Sequence, residues 1–176
     1  MANVFIIGNT NCTKDSLEYN LAKEIGAKVS KCVNNILTGG FKGVAEGVYE
    51  GAKAANENCG RISILCKEIR LPHNNLHTMY LDVASYFDYI KLSITNSDLF
   101  VFLPGNFSIL SFLSVCLNLQ ELNLFDKPKP IICVGEQLRE VIEMLAFFNE
   151  DVIEIYKNII MVSSAEEVVE AIRENI

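Results

Sequence analysis

Leu37-Thr38-Gly39-Gly40-Phe41-Lys42-Gly43-Val44-Ala45-Glu46-Gly47 closes a short apolar run, turns on three glycines and opens an amphipathic stretch. A strand-length run, a glycine-rich turn and a helical period in direct succession mark a βα junction of the kind that feeds a parallel sheet. After the turn, Val44, Val48, Ala52 and Ala55 recur at helical spacing and point inward, and Gly47 and Gly51 leave room for close approach to a strand.

The same alternation extends in both directions. Upstream, a strand over 3–7 ends in Gly8-Asn9-Thr10-Asn11, and Leu17, Leu21, Ile25, Val29 and Val33 form the stripe of a first helix with Thr13 or Asp15 as N-cap. Downstream, apolar runs predict strands near 61–66, 98–103, 130–134 and 158–162. Helices are expected over 81–95, 108–122, 136–148 and 164–174, the last with Ser164 and Glu167 spaced as a capping box. Residues 67–79, with Pro72, His73, Asn74, Asn75 and His77, read as a loop. The reading is an α/β protein: a three-layer, Rossmann-like, doubly wound parallel sheet of about six strands, in one domain spanning 1–176.

Composition sets limits on function. A chain of 176 residues can bury roughly 70% of the surface its unfolded form exposes, so it needs no covalent staple. The apolar runs are strand-length, well short of the ~20 residues of a membrane span, and Met1-Ala2-Asn3 leads into a strand without the basic region of a signal peptide. These features predict a cytoplasmic protein with no membrane partner. A formal charge of −7 argues against nucleic acid, which requires clustered Lys and Arg. The six cysteines (Cys12, Cys32, Cys59, Cys66, Cys116 and Cys133) lack zinc-site spacing and read as buried free thiols. His73 and His77 are four apart, but the loop around them and the lack of a third ligand favour two surface histidines. No metal or resident cofactor is called for.

In an open parallel sheet, ligands bind beyond the carboxyl ends of the strands. Three loops fall there: Gly8-Asn9-Thr10, then Thr38-Gly39-Gly40-Phe41-Lys42-Gly43 at a helix start, then Pro104-Gly105-Asn106 with Ser108 at another. Exposed amides and a helix dipole suit an anion, and Lys42 could add a full charge. Each glycine could equally be a plain turn residue, yet loops converging on one crevice suggest a phosphorylated small molecule or nucleotide.

Val4-Phe5-Ile6-Ile7-Gly8, Leu37 to Gly47, and Ser97-Asp98-Leu99-Phe100-Val101-Phe102-Leu103-Pro104-Gly105 together resemble the "lonely guy" (LOG) and lysine decarboxylase-like superfamily, which includes molybdenum-cofactor carrier-type proteins. The resemblance covers roughly residues 3–135. It implies a Rossmann-like homodimer, and its enzymes cleave nucleoside 5′-monophosphates at the N-glycosidic bond. The family's GGxxG motif falls on Gly39, Gly40 and Gly43, followed by Val44, Ala45 and Glu46. Its PGGxGTxxE motif departs after Pro104 and Gly105: Asn106, Ser108 and Ile109 replace the next three signature residues, and Phe112 stands where the glutamate belongs. Tyr89 occupies the position the resemblance gives to an arginine.

Phenylalanine can neither activate water nor stabilise an oxocarbenium ion. The expectation is therefore a non-hydrolysing carrier or regulatory protein, dimeric through the apolar helix near 109–119. The alternative is a phosphoribohydrolase using a relocated carboxylate, for which Glu46 is the candidate, ahead of Asp88 and Glu121. Glu46 also reads as a solvated helix residue or a dimer contact.

Overall fold

A computed structural model of the protein describes residues 2–148 and 159–176. Seven strands form one parallel sheet: β1 Asn3–Ile7, β2 Asn35–Thr38, β3 Gly60–Cys66, β4 Met79–Val83, β5 Leu99–Phe102, β6 Ile131–Val134 and β7 Ile159–Val162. Their order across the sheet is β4-β3-β2-β1-β5-β6-β7. In register, Phe5 of β1 lies between Leu37 of β2 and Phe100 of β5. The described helices are α1 Leu17–Val29, α2 Val44–Ala55, α3 Tyr86–Thr95, α4 Phe107–Glu121, α5 Glu136–Phe148 and α6 Ala165–Asn175.

Alternate strand residues face opposite sides of a sheet, and this sheet is apolar on both. Val4, Ile6, Ile36, Val101 and Val134 pack with α1, α2 and α6 on one side. Phe5, Leu37, Ile64, Phe100 and Cys133 pack with α3, α4 and α5 on the other. The result is the expected three-layer arrangement. The chain winds outward from β1 to β4 and then returns to β5 on the other side of β1, so the winding direction reverses between β1 and β5. A crevice opens at such a reversal because the loops beyond the two strands diverge.

Several expectations need correction. The sheet has seven strands because 79–83, read as loop and helix start, is an edge strand, and α3 begins only at Tyr86. Ser16, not Thr13 or Asp15, caps α1, its hydroxyl accepting from the Tyr19 amide at 3.2 Å. Leu17 is 88% exposed, and the inward face is Tyr19, Ala22, Ile25, Gly26 and Val29. Val33 is buried but lies past the helix end.

Gly47 and Gly51 do admit a close neighbour, but the neighbour is α1 and not a strand. A Cβ on Gly51 would stand 1.8 Å from the Lys23 carbonyl oxygen, and one on Gly26 would stand 2.0 Å from that of Val48. Backbone therefore meets backbone where α1 and α2 cross. Ser164 caps α6 as expected, accepting from the Glu167 amide, while the Glu167 carboxylate accepts from the amide of Ser163. Strand 158–162 begins, as described, at Ile159, and Asn158 lies outside the described residues.

The connection from β3 to β4, residues 67–78, contains no helix. It is strapped down along its length. The Lys42 amide donates to Pro72 (3.0 Å) and the Asn74 amide to Gly40 (2.8 Å), a bridge that pairs Phe41 with His73. Asn74, 4% exposed, donates its side-chain amide to the Phe41 carbonyl at 2.6 Å and accepts from the Leu76 amide at 3.0 Å. Lower down, the buried Arg61 guanidinium donates to the carbonyls of Leu76, Glu57 and Cys59. No helix among the described residues is long and apolar enough to cross a membrane.

Candidate ligand cavity

The loops beyond β1, β2 and β5 enclose a cavity of about 200 Å³. Its buried lining consists of Ile6 and Gly8 from β1 and its loop, Gly39, Phe41 and Ala45 from the β2–α2 junction, and Tyr89, Ile109 and Phe112 from α3 and α4. The half-buried or exposed members are Ile7, Thr10, Ile69, Leu71, Tyr86, Asn106 and Ser108, which form the mouth.

Aromatic packing shapes the interior. Phe112 stacks on Phe5 with ring centres 5.3 Å apart and meets the Tyr89 ring edge-on at 6.5 Å. Tyr86 stacks on Tyr89 at 6.0 Å, and Phe41 is backed by His73 at 5.1 Å. Gly39 lets the wall close in: a Cβ there would stand 2.6 Å from the Phe41 ring and 2.9 Å from the Tyr89 hydroxyl, so only a residue without one leaves these two groups where they are. Burial pushes the Tyr89 phenol well above its ordinary pKa, so it stays protonated and able to donate.

The glycine-rich loop is tied mainly to its own surroundings. The Gly40 amide donates to the Thr38 hydroxyl (2.9 Å), that of Lys42 to Pro72 and that of Val44 to the Asn9 carbonyl (2.9 Å). Gly43 has φ of 73°, and a Cβ there would lie 2.4 Å from the Asn9 oxygen, so glycine is required on both counts. Asn9 joins all three loops. Its amide donates to Pro104 (3.2 Å), its side-chain oxygen accepts from Asn11 (2.9 Å) and its side-chain amide reaches Glu18 (3.2 Å). Asn106 caps α4, accepting from the Ser108 amide at 3.1 Å.

Of the residues singled out in the sequence, Gly8, Thr10, Gly39, Phe41, Asn106 and Ser108 line the cavity. Asn9, Thr38, Gly40, Gly43, Pro104 and Gly105 build the loops behind it, and the Lys42 side chain is exposed outside the lining. Glu46 is not in the lining either: its carboxylate lies 3.8 Å from the Lys14 ammonium, which also bonds Glu50. Tyr89 and Phe112, the positions where the resemblance expects arginine and glutamate, both face the cavity.

Ile69, Leu71 and Tyr86 were missed by sequence reasoning. They come from the 67–78 connection and the start of α3, and nothing in their local pattern points to a site. His73 and His77 lie against different rings, Phe41 and Tyr80. Among the described residues, no group of three or more His, Cys, Asp or Glu is arranged to hold a metal.

No protein-family model matches the chain, and no curated protein matches it in sequence. Solved structures do match. The molybdenum cofactor binding protein from the phototrophic bacterium Rippkaea orientalis is 21% identical with a TM-score of 0.70, over 98% of this chain and 94% of that one. The molybdenum cofactor carrier protein of Chlamydomonas reinhardtii is 15% identical with a TM-score of 0.72, over 98% and 96%. The structural-genomics target TM1055 is 16% identical with a TM-score of 0.74, over 99% of each chain. The Rossmann-like fold implied by the sequence resemblance is the one these structures share.

Proposed function

We propose that the protein is a non-hydrolysing carrier or binding protein for a nucleotide or other phosphorylated small molecule, its flat ring inside the cavity and its polar remainder at the mouth. The single observation that carries this reading is the makeup of the cavity at the strand ends: aromatic walls, with no carboxyl, imidazole, ammonium or guanidinium group among the lining residues. The usual hydrolysis of a glycosidic bond uses carboxylates placed beside it, and the lining offers none. The volume supports a ring-sized occupant, because about 200 Å³ is below the roughly 300–1,000 Å³ of sites that engulf a whole drug-sized ligand. Thr10, Asn106 and Ser108 supply polar contacts at the mouth. Two of the matching structures are described as molybdenum cofactor binding or carrier proteins, which agrees with a carrier role.

The proposal includes a homodimer through the outer face of α4. That helix carries no charged residue from Phe107 to Gln120, and Phe107 is 81% exposed. Sedimentation equilibrium should give a mass near 39 kDa, about twice the 19.7 kDa of the chain. A monomer at all concentrations would remove the dimer from the proposal.

The functional test is a thermal-shift screen of nucleoside monophosphates, ribose 5-phosphate and molybdopterin-like compounds, with chromatography of each mixture afterwards. A ligand present at about 100 times its Kd adds about 2.7 kcal/mol, or about 5–10 °C for a domain of this size. The expected result is such a shift with the ligand recovered intact. Release of free base would replace the carrier reading with hydrolysis and send attention back to Glu46.

A further inference from the structure

The lining decides which part of a ligand is recognised. Its buried surface is apolar and aromatic, with Ile6, Phe41, Ile109 and Phe112 prominent and no charged side chain present. An anion placed there would be stripped of water with no counter-charge, a strongly unfavourable exchange. Three of the loop's backbone donors are engaged elsewhere: the amides of Gly40, Lys42 and Val44 bond to Thr38, Pro72 and Asn9. Lys42 itself points to solvent outside the lining.

We infer that, granted the carrier reading above, the site recognises an uncharged nitrogen heterocycle of nucleobase type, and that the phosphate of such a ligand rests at the mouth without contributing to recognition. Inside the apolar wall, Tyr89 places one hydroxyl beside Gly39, where it can donate to an acceptor on the ring edge. Gly39 holds that hydroxyl in place, since any side chain there would push back the Phe41 ring and the hydroxyl itself. Tyr89 and Gly39 are thus the specificity-determining pair. Apolar contact with the wall accepts any flat ring, whereas one hydrogen bond to the ring edge distinguishes heterocycles.

The test is calorimetric titration of the full chain with the free base, nucleoside and 5′-monophosphate of adenine and of guanine, and with ribose 5-phosphate by itself, at low and high salt. Within a series that binds, the three affinities should agree to about threefold and change little with salt, and ribose 5-phosphate should not bind. Tyr89→Phe should weaken that series about tenfold, equivalent to about 1.4 kcal/mol, without altering the ratio of base to monophosphate. Gly39→Ala should abolish binding while the fold, followed by circular dichroism, persists.

A monophosphate tenfold tighter than its nucleoside, or affinity that collapses with salt, overturns this inference and leaves the carrier reading standing. Unchanged affinity in Tyr89→Phe overturns the assigned role of the hydroxyl. Failure of every compound to bind overturns the inference, while the carrier reading falls only if the wider thermal-shift screen also finds no ligand.

Discussion

Replacing Phe112 with alanine separates its two roles, as a wall of the cavity and as a member of the core. The side chain is 1% exposed and its ring meets those of Phe5, Tyr89, Phe100 and Phe102. Removing a buried phenyl group costs about 3–5 kcal/mol through lost transfer energy and the void left behind. Collapse around the void is difficult, because the four partner rings are held by the neighbouring strands β1 and β5 and by α3. We therefore expect a loss of about 3–4 kcal/mol, which for a chain of this length lowers Tm by about 6–16 °C. Phe112→Leu, which retains most of the volume, should lose no more than about 1.5 kcal/mol.

Urea unfolding followed by far-ultraviolet circular dichroism gives both figures. A second measurement isolates the void: Phe112→Ala should admit a small aromatic such as benzene beside the cavity, so that benzene raises Tm by more in that variant than in the parent. A loss below about 1 kcal/mol in Phe112→Ala would refute the reasoning, because it would mean that the residue occupies the cavity position without bracing the sheet.

Two further outcomes follow from contacts described above. Asn74→Ala should free the Phe41 carbonyl and the Leu76 amide, costing about 1–3 kcal/mol; trypsin should then cut after Lys67 or Arg70 at least tenfold faster, and an unchanged cleavage rate would show that Asn74 does not clasp the strap. The Glu50 carboxylate is held below its ordinary pKa chiefly by the Lys14 ammonium, so its contribution is present at neutral pH and lost as pH falls through the depressed value; between pH ~7 and ~3, Glu50→Gln should flatten part of the decline in Tm, and parallel curves would refute the linkage.

Much of this fold was legible because its signals are local. Val4 to Ile6, Leu99 to Phe102 and Ile131 to Val134 are buried on both faces, which requires the unbroken apolar runs that mark central strands. β4 failed that test for a physical reason. It lies at the sheet edge with Met79, Tyr80 and Asp82 outward, so its composition resembles a loop and only its pairing with β3 makes it a strand.

The site divides in the same way. The glycines of 39–43 announced a tight turn, but whether its amides are free depends on Pro72 and Asn9, thirty or more residues away in sequence, and no local pattern reports those partners. Tyr89 and Phe112 were visible through the family resemblance alone. Ile69 and Leu71 reach the cavity because the strap is pinned across it, a tertiary fact with no counterpart in composition.

The crossing of α1 and α2 has a consequence for how this protein can change over generations. Gly26 and Gly51 set the helix spacing at a distance from the cavity, and that spacing in turn aims the start of α2 at the strand ends. Placement of the loop therefore depends on residues that never meet a ligand, while Tyr89, Ile109 and Phe112 meet the cavity from the opposite layer. Sequence drift can rewrite the cavity wall, and with it the cargo, while the backbone frame stays put. Drift at the two glycines has no such freedom, since even a methyl group there would wedge α1 and α2 apart.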